Sequence, residues 1–417
     1  MSEITKDRRR TYGSGSIFQR ADGRWVGRAE AGWTPTGSRR RVSVVASTEA
    51  EAKRRLRDRM RDLDRGVTTA SRLTVKAWAD QWLAAKVDRV RPKTFTADRA
   101  AVRLHIVPTI GHRRLDQIGA QDIRAVSAAV TAAGHSAATA HRVHVVLHGL
   151  LVDAEREGHT VPRAATLARP PSRGKGDRQA LELADALAVL KVAAGDDDGS
   201  RWVAGLLQGM RQGECLGLTW DLVDTSAGWV DVSWQLQGVP SVHGCGDPPT
   251  CGHKRGGFCP KRRRRIPAGF EMRELDGWLA LTRPKTAAGQ RIIPLVPWMR
   301  DSLDAWRLKA PKSAHGLVWP AADGRPCLAE SDRAAWVDLQ ARANVTGPGR
   351  PYAVHEMRHT TATLLAEAGV DPSVIMAILG HSTVATQAVY KTVRLDATAA
   401  ALGEVAARLS LGGTYGT

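Results

Sequence analysis

Along the chain, apolar and polar residues alternate first with the period of a strand and then with that of a helix. SIFQRADGRWVGRAEAGW (16–33) and SRRRVSVVAS (38–47) read as short strands, broken by Asp22-Gly23 and by Thr34-Pro35-Thr36-Gly37. Thr48 then opens a charged helix, with Glu51 three residues on as its capping-box partner. From Leu73 the period lengthens: LTVKAWADQWLAAK places Val75, Trp78, Trp82 and Leu83 on one face. Pro92 opens a second helix at its first turn, and PTIGHRRLDQIGAQDI (108–123) is a connector into a third. HSAATAHRVHVVLHGLLVDAEREG is a long fourth helix ending at Gly158.

ARPPSRGKGDRQ (168–179) is rich in Pro, Gly and Arg and lacks apolar periodicity, which marks a linker. Beyond it, LTRPKTAAGQRIIPL (281–295) reads as two strand-like runs flanking a Thr-Ala-Ala-Gly turn, a hairpin. Asp371-Pro372 starts a helix that ends at Gly380, and LDATAAALGEVAARL (395–409) is an amphipathic terminal helix. The expected fold class is α+β and multidomain: a small N-terminal three-stranded sheet plus helix (1–66), a four-helix domain (72–166), a linker (167–179), and a mainly α domain with a small antiparallel sheet (180–417).

Composition narrows the partners. The 417 residues carry 61 Lys+Arg against 42 Asp+Glu, a formal net charge of +19 and a pI near 10.4. Such an excess favours a polyanion, because neutralising phosphates releases condensed counterions. A basic enzyme from an Arg-preferring genome is the plain alternative. Residues 1–66 alone hold 17 Lys+Arg and 9 Asp+Glu, and Lys93, Thr94, Arg99 and Arg103 are further candidates to meet phosphates. Hydrophobic content of 43% is enough for proper cores. No stretch approaches the ~20 apolar residues that span a bilayer, and MSEITKDRRRTYGSGS has no apolar signal core, so a cytoplasmic location is expected.

The chemistry concentrates late in the chain. His355 and Arg358 stand three residues apart in VHEMRHTTATLL, His381 follows in LGHST, and Tyr390 comes nine residues later. Upstream, Arg211 and Glu214 are i,i+3 neighbours, so the carboxylate can orient the guanidinium. Fixed guanidinium forks stabilise the extra negative charge of a pentavalent phosphorane, and nearby cations favour a phenolate nucleophile. Tyr390 is one of four tyrosines; Tyr12, Tyr352 and Tyr415 lack such neighbours. Unbroken helix would separate His381 from Tyr390 by ~13 Å, so a bend or an approach from two sides is required.

Arg211, Lys285, His355 with Arg358, His381 and Tyr390 together resemble, in order, the boxes of the tyrosine recombinase (phage integrase) family. The match runs over roughly Leu183 to Tyr390. The resemblance implies a site-specific DNA recombinase in which Tyr390 is the nucleophile, Arg211 and Arg358 clamp the phosphate, and His355 assists proton transfer. Lys285 would protonate the leaving 5′-oxygen, with Arg283 and Arg291 as nearby alternatives, and Glu214 would support Arg211 from behind. His359 is expected to point away and pack. The resemblance further implies an arm-type DNA-binding domain at 1–66, a helical core-binding (SAM-like) domain at 72–166 and no catalytic cofactor. It also implies a homotetramer on double-stranded attachment sites, with an excisionase and a host DNA-bending protein as further partners. Two other readings stand beside it. One is a type IB-like topoisomerase, which shares the chemistry. The other is a helix-turn-helix regulator, since DPSVIMAILGHSTVATQAVY has that form, but this leaves Arg211, Lys285 and the His355–Arg358 pair unexplained.

One stretch departs from the family, which normally has a short turn where residues 239–270 are inserted. Cys245, Cys251, His253 and Cys259 form a C-x5-C-x-H-x5-C series, with His243 as another candidate ligand. Three thiolates and an imidazole suit tetrahedral zinc, although the spacing is not the usual C-x2-C knuckle; reduced thiols without metal are the alternative. Lys261–Arg265 is a five-residue basic run beside it, placed for phosphate contact.

Overall fold

The alternation in residues 16–46 becomes an antiparallel sheet in the order β1 (Ser16–Gln19), β2 (Trp25–Trp33), β3 (Arg39–Ala46). The computed structural model describes residues 15–33, 39–64, 73–174, 176, 178–246, 248–286, 289–380 and 395–408. The expected turn at 34–37 lies outside them. Helix α1 (Glu49–Asp64) begins as the capping signal requires, with the Glu51 amide donating to Thr48 Oγ1 at 3.3 Å. Its Ala52 and Leu56 are buried with Val26, Ala29 and Ala46 of the sheet. The chain divides into two compact units, residues 1–87 with 94–174, and residues 88–93 with 175–417.

In the first unit, α2 (Val75–Lys86) buries Val75, Trp78, Ala79, Trp82 and Leu83, the face that periodicity marks. Trp78 and Trp82 also find partners for their indole N–H groups, the Leu150 carbonyl and Asp153 Oδ2, both at 2.8 Å. The chain is helical from Pro92 to Ile110, through α3 (Pro92–Ala101), a π-helical stretch (Val102–Ile106) and α4 (Val107–Ile110). The first residues of the expected connector are thus the end of a helix, because the π stretch absorbs the register change ahead of Pro108. Then follow α5 (Ala120–Ala132), α6 (Ala137–Arg156) and the short α7 (Arg163–Thr166). The long α6 supplies Val143, Val146, Leu147, Leu150 and Leu151 to the core, and Gly158 lies just past its end with φ +81°.

The second unit opens with α8 (Leu183–Ala193), α9 (Ser200–Leu206) and α10 (Gln212–Leu216). Strands β4 (Val223–Asp224), β5 (Trp229–Val232), β6 (Gln235–Gly238), β7 (Ser241–Val242), β8 (Arg263–Arg264), β9 (Met272–Glu274), β10 (Leu279–Thr282) and β11 (Arg291–Pro294) follow. They pair antiparallel as β6-β10-β9, β11-β5-β4 and β7-β8. The runs flanking Lys285 are therefore not a hairpin: β10 pairs with β6 and β9, and β11 with β5. Local alternation marked both strands but could not reveal which partners they take.

Helices α11 (Pro297–Lys309), α12 (Ala329–Arg342), α13 (Val354–Glu367), α14 (Pro372–Leu379) and α15 (Leu395–Arg408) complete the unit. Trp202, Val203, Leu206, Trp336, Met357 and Leu365 lie in its main core. A Cβ on Gly205 would come within 2.9 Å of the Met357 sulfur, so glycine there permits the close approach of α9 and α13. Arg201, 2% exposed, meets Asp332 through two bonds of 2.9 Å and ties α9 to α12. Tyr352 is 4% exposed and donates its hydroxyl to Asp185, a structural placement.

Candidate functional site

The site begins with backbone. Gly209 has φ +60°, and a Cβ there would lie 2.5 Å from the Leu379 side chain. The chain then extends through Arg211, the N-cap of α10. Glu214, three residues on, accepts the Arg211 backbone N–H at 2.8 Å and Arg211 Nη1 at 2.6 Å. The i,i+3 pairing expected from sequence is present, at a helix start rather than within a helix.

Glu214 has a second partner that sequence did not assign. Arg291, at the start of β11, donates Nη2 to Glu214 Oε2 at 2.9 Å and Nη1 to Oε1 at 3.2 Å. Both side chains are buried, at 6% and 2% exposed. Burial pushes the Glu214 carboxyl up, but Arg291 first and then Arg211 outweigh it and hold it at about 2. Arg291 is thus engaged here and is no stand-in for Lys285. The only signal in the sequence was a charged residue heading a short apolar strand; its partner lies 77 positions away.

Helix α13 carries the pair expected from its spacing. Glu356 accepts N–H bonds from Ala353 at 2.6 Å and Gln179 at 2.9 Å, and both nitrogens of Arg350 reach it. Burial opposes ionisation of Glu356, yet Arg350 and these amides bring its carboxyl down to about 2. His355 faces outward, while Arg358 is 4% exposed and donates Nη1 to the Gly209 carbonyl at 2.7 Å. Burial, with Arg178, His359, Arg358 and Arg211 nearby, lowers the His355 pKa, so its imidazole is held neutral further into the acid range. His359 does not point away: its ring meets His355 edge-on at 5.3 Å. Residues i and i+4 share a helix face, which explains the contact.

Three guanidinium groups converge on the C-terminal end of α14. Arg291 Nε donates to the Ile378 carbonyl at 2.6 Å, Arg358 Nη2 to that of Leu379, and Arg211 Nη2 to that of Gly380 at 3.2 Å. The last carbonyls of a helix lack intrahelical partners and carry the negative end of its dipole, so cations there satisfy and stabilise them. Gly380 adopts the left-handed C-cap with φ 61°, and Asp371 caps the other end as expected. Arg211 and Arg358 thus hold the carbonyls of two adjacent residues, Gly380 and Leu379. His381 and Tyr390 themselves lie outside the described residues.

Arg211 and His355 open onto a cleft of about 630 Å³, also lined by Gln212, Gln235, Trp278 and Arg333. Lys285 is exposed in the connection from β10 to β11. Arg283 is paired with Glu271 at 2.9 Å and stacks 4.0 Å from the Trp234 ring centroid.

The insertion gathers a different set of groups. The ligand atoms of His243, Cys245, Cys251 and Cys259 all lie within 4.8 Å of one another. His243 Nδ1 is 3.3 Å from Cys251 Sγ and 3.9 Å from Cys245 Sγ. Donors around a tetrahedral zinc sit about 3.5–3.8 Å apart, given Zn–S of about 2.3 Å and Zn–N of about 2.0 Å. The four residues therefore fit such an ion with small adjustment. Burial opposes ionisation of Cys245, but hydrogen bonds from Thr250 and Cys251 bring its thiol down to about 6. His243 takes the place expected of His253, whose exposed ring instead stands 6.4 Å from that of Phe258.

Comparison with known proteins places this geometry. Residues 272–395 match the phage integrase family, and residues 74–126 the phage integrase N-terminal SAM-like domain. An integrase of Saccharopolyspora erythraea is 27% identical over 91% of this chain and 93% of its own length; one of Streptomyces ambofaciens is 28% identical over 92% and 93%. The tyrosine recombinase XerD of Mycobacterium tuberculosis is 28% identical over 63% of this chain and 72% of its own. Among solved structures, the Tn1549 transposon integrase in complex with transposon right-end DNA aligns with TM-score 0.60 at 18% identity, covering 80% of this chain and 99% of that one. A lambda integrase dimer bound to a core site aligns with TM-score 0.54 at 16% identity, over 93% and 96%. The two phage integrase matches, the integrase relatives and XerD together identify a tyrosine recombinase, an enzyme that breaks and rejoins DNA at specific sites.

Proposed function

We propose that this recombinase integrates and excises a mobile element, with Tyr390 as its nucleophile. The observation that carries the reading is the convergence of Arg211 and Arg358, from two distant segments, on the carbonyls of Gly380 and Leu379, with His355 beside Arg211 at the cleft. In the reaction, the Tyr390 oxygen attacks a backbone phosphorus and the bond to the 5′-oxygen breaks. The tyrosine proton passes to neutral His355, and Lys285 protonates the leaving 5′-oxygen. Arg211 and Arg358 turn from helix carbonyls to the phosphate oxygens, where a bidentate guanidinium stabilises the added charge, with His381 supplying a further hydrogen bond. Glu214, anchored by Arg291, keeps Arg211 in place. The 5′-hydroxyl of a partner strand then attacks the 3′-phosphotyrosyl bond and releases Tyr390. Bond energy is kept in the covalent link, so neither ATP nor a catalytic metal is part of the scheme.

The partners that follow are double-stranded attachment sites and three further copies of the chain. A lambda integrase tetramer bound to a Holliday junction, aligned with TM-score 0.51, supports that assembly. An excisionase and a host DNA-bending protein belong to the same reading, as does action in the cytoplasm. Among the described residues no helix is long and apolar enough to cross a membrane. The Cys–His cluster is assigned structural zinc: it would cross-link the insertion and take no part in the chemistry. Incubation with two distinguishable duplexes tests the function. Recombinant products are expected; relaxation of supercoils without exchange would point to a topoisomerase instead.

A further inference from the structure

We infer that the insertion is a metal-built phosphate clamp that grips duplex DNA through residues that do not line the reaction cleft. The inference rests on the recombinase reading only for the choice of duplex DNA as the polyanion. Between Pro240 and Phe270, Cys259 is the one fully buried apolar side chain among the described residues, and Phe258 is 68% exposed. A segment of this size has no core of its own, and small scaffolds of that kind are held by disulfides or a metal. The cluster sits where such a staple is needed. His243 and Cys245 follow β7, Cys259 precedes β8, and Cys251 comes from the middle of the loop between them. The backbones are tightly apposed there: a Cβ on Gly244 would lie 2.1 Å from the Lys261 carbonyl oxygen, and one on Gly256 2.6 Å from that of Ser241.

What the staple would present is charge. Residues 239–270 contain seven Lys and Arg and one acidic residue, Asp247. Arg264 turns inward, bonding Ser241 Oγ and the carbonyls of Val239 and Gly277. Lys254, Arg255, Lys261, Arg262 and Arg263 are exposed. Like charges so close repel one another, and a self-packed loop gains nothing from them; a polyphosphate surface offsets the repulsion and releases counterions. Arg283, near the cleft, shows the contrast, since its charge is met by Glu271 within the fold.

The test uses the full chain, purified without chelator, and a duplex whose binding is titrated with salt. About one zinc per chain is expected. The triple variant Lys261→Gln, Arg262→Gln, Arg263→Gln should keep its zinc and lower the slope of log affinity against log salt by about 2–3. Cys251→Ser should lose zinc and show a reduced slope with its basic residues intact. Zinc well below one per chain in the unaltered protein would overturn the metal, and a triple variant with intact zinc and an unchanged slope would overturn the clamp. Covalent trapping of the unaltered protein on a nicked substrate reads the recombinase assignment separately. Trapping without a slope change sinks the clamp alone, and a slope change without trapping sinks the recombinase reading alone.

Discussion

The second unit gathers positive charge in two places and holds it by opposite means. At the end of α14, Arg211, Arg291 and Arg358 are disciplined by buried Glu214 and by helix carbonyls. In the insertion, exposed basic residues surround a cluster of thiols and one imidazole. The first arrangement satisfies its guanidiniums internally, with one buried carboxylate and with backbone carbonyls. The second leaves its cations to solvent, and in the proposed reading a metal would order its backbone. One region should therefore fail when its carboxylates are lost, and the other when its ion is removed.

The largest effect expected from breaking this contrast is at Glu214. Replacing Glu214 with Ala leaves buried Arg291 without its carboxylate and should cost about 3–5 kcal/mol of stability. Denaturant unfolding measures this, and a loss below about 1 kcal/mol would show that the pair is not holding the site.

Acid comes next. Glu214 and Glu356 have folded pKa values near 2, below their ordinary value of 4.5, so between these limits the unfolded chain binds more protons than the folded one. Their stabilisation, up to about 3 kcal/mol each, is complete above pH ~4.5 and disappears as the pH falls toward 2. A stability profile that stays flat through that window in wild type would contradict the assignment, and Glu356→Gln should flatten its own share.

The smallest global effect is expected from a chelator. Removing metal should expose the insertion to trypsin at its Lys and Arg residues while moving the main unfolding midpoint by less than about 2 °C, because that core does not include the loop. A large shift of the main transition would join the two regions that the comparison separates.

What could be read from the sequence follows how local each determinant is. The buried face of α2, the cap at Thr48 and the stop at Gly158 are set by residues within a turn or two of one another, and all are present. Partners chosen across long separations were not legible: that β10 and β11 join different sheets, that Arg291 completes the Glu214 pair, and that His243 rather than His253 meets the thiols. The His243–His253 case is instructive, since both are within reach along the chain and only the β7–β8 pairing decides which imidazole faces the cysteines. At α13 the spacing of His355 and Arg358 placed both on one helix, but not that Arg358 is buried and His355 exposed.

The account depends most on Tyr390, and a nicked suicide substrate tests it directly. Cleavage of such DNA releases a short 5′ fragment and traps the enzyme on the 3′ end. The unaltered protein should form a denaturation-resistant protein–DNA adduct, and Tyr390→Phe should bind the same duplex with similar affinity while forming none. Adduct formation by Tyr390→Phe at the wild-type level would contradict the central claim.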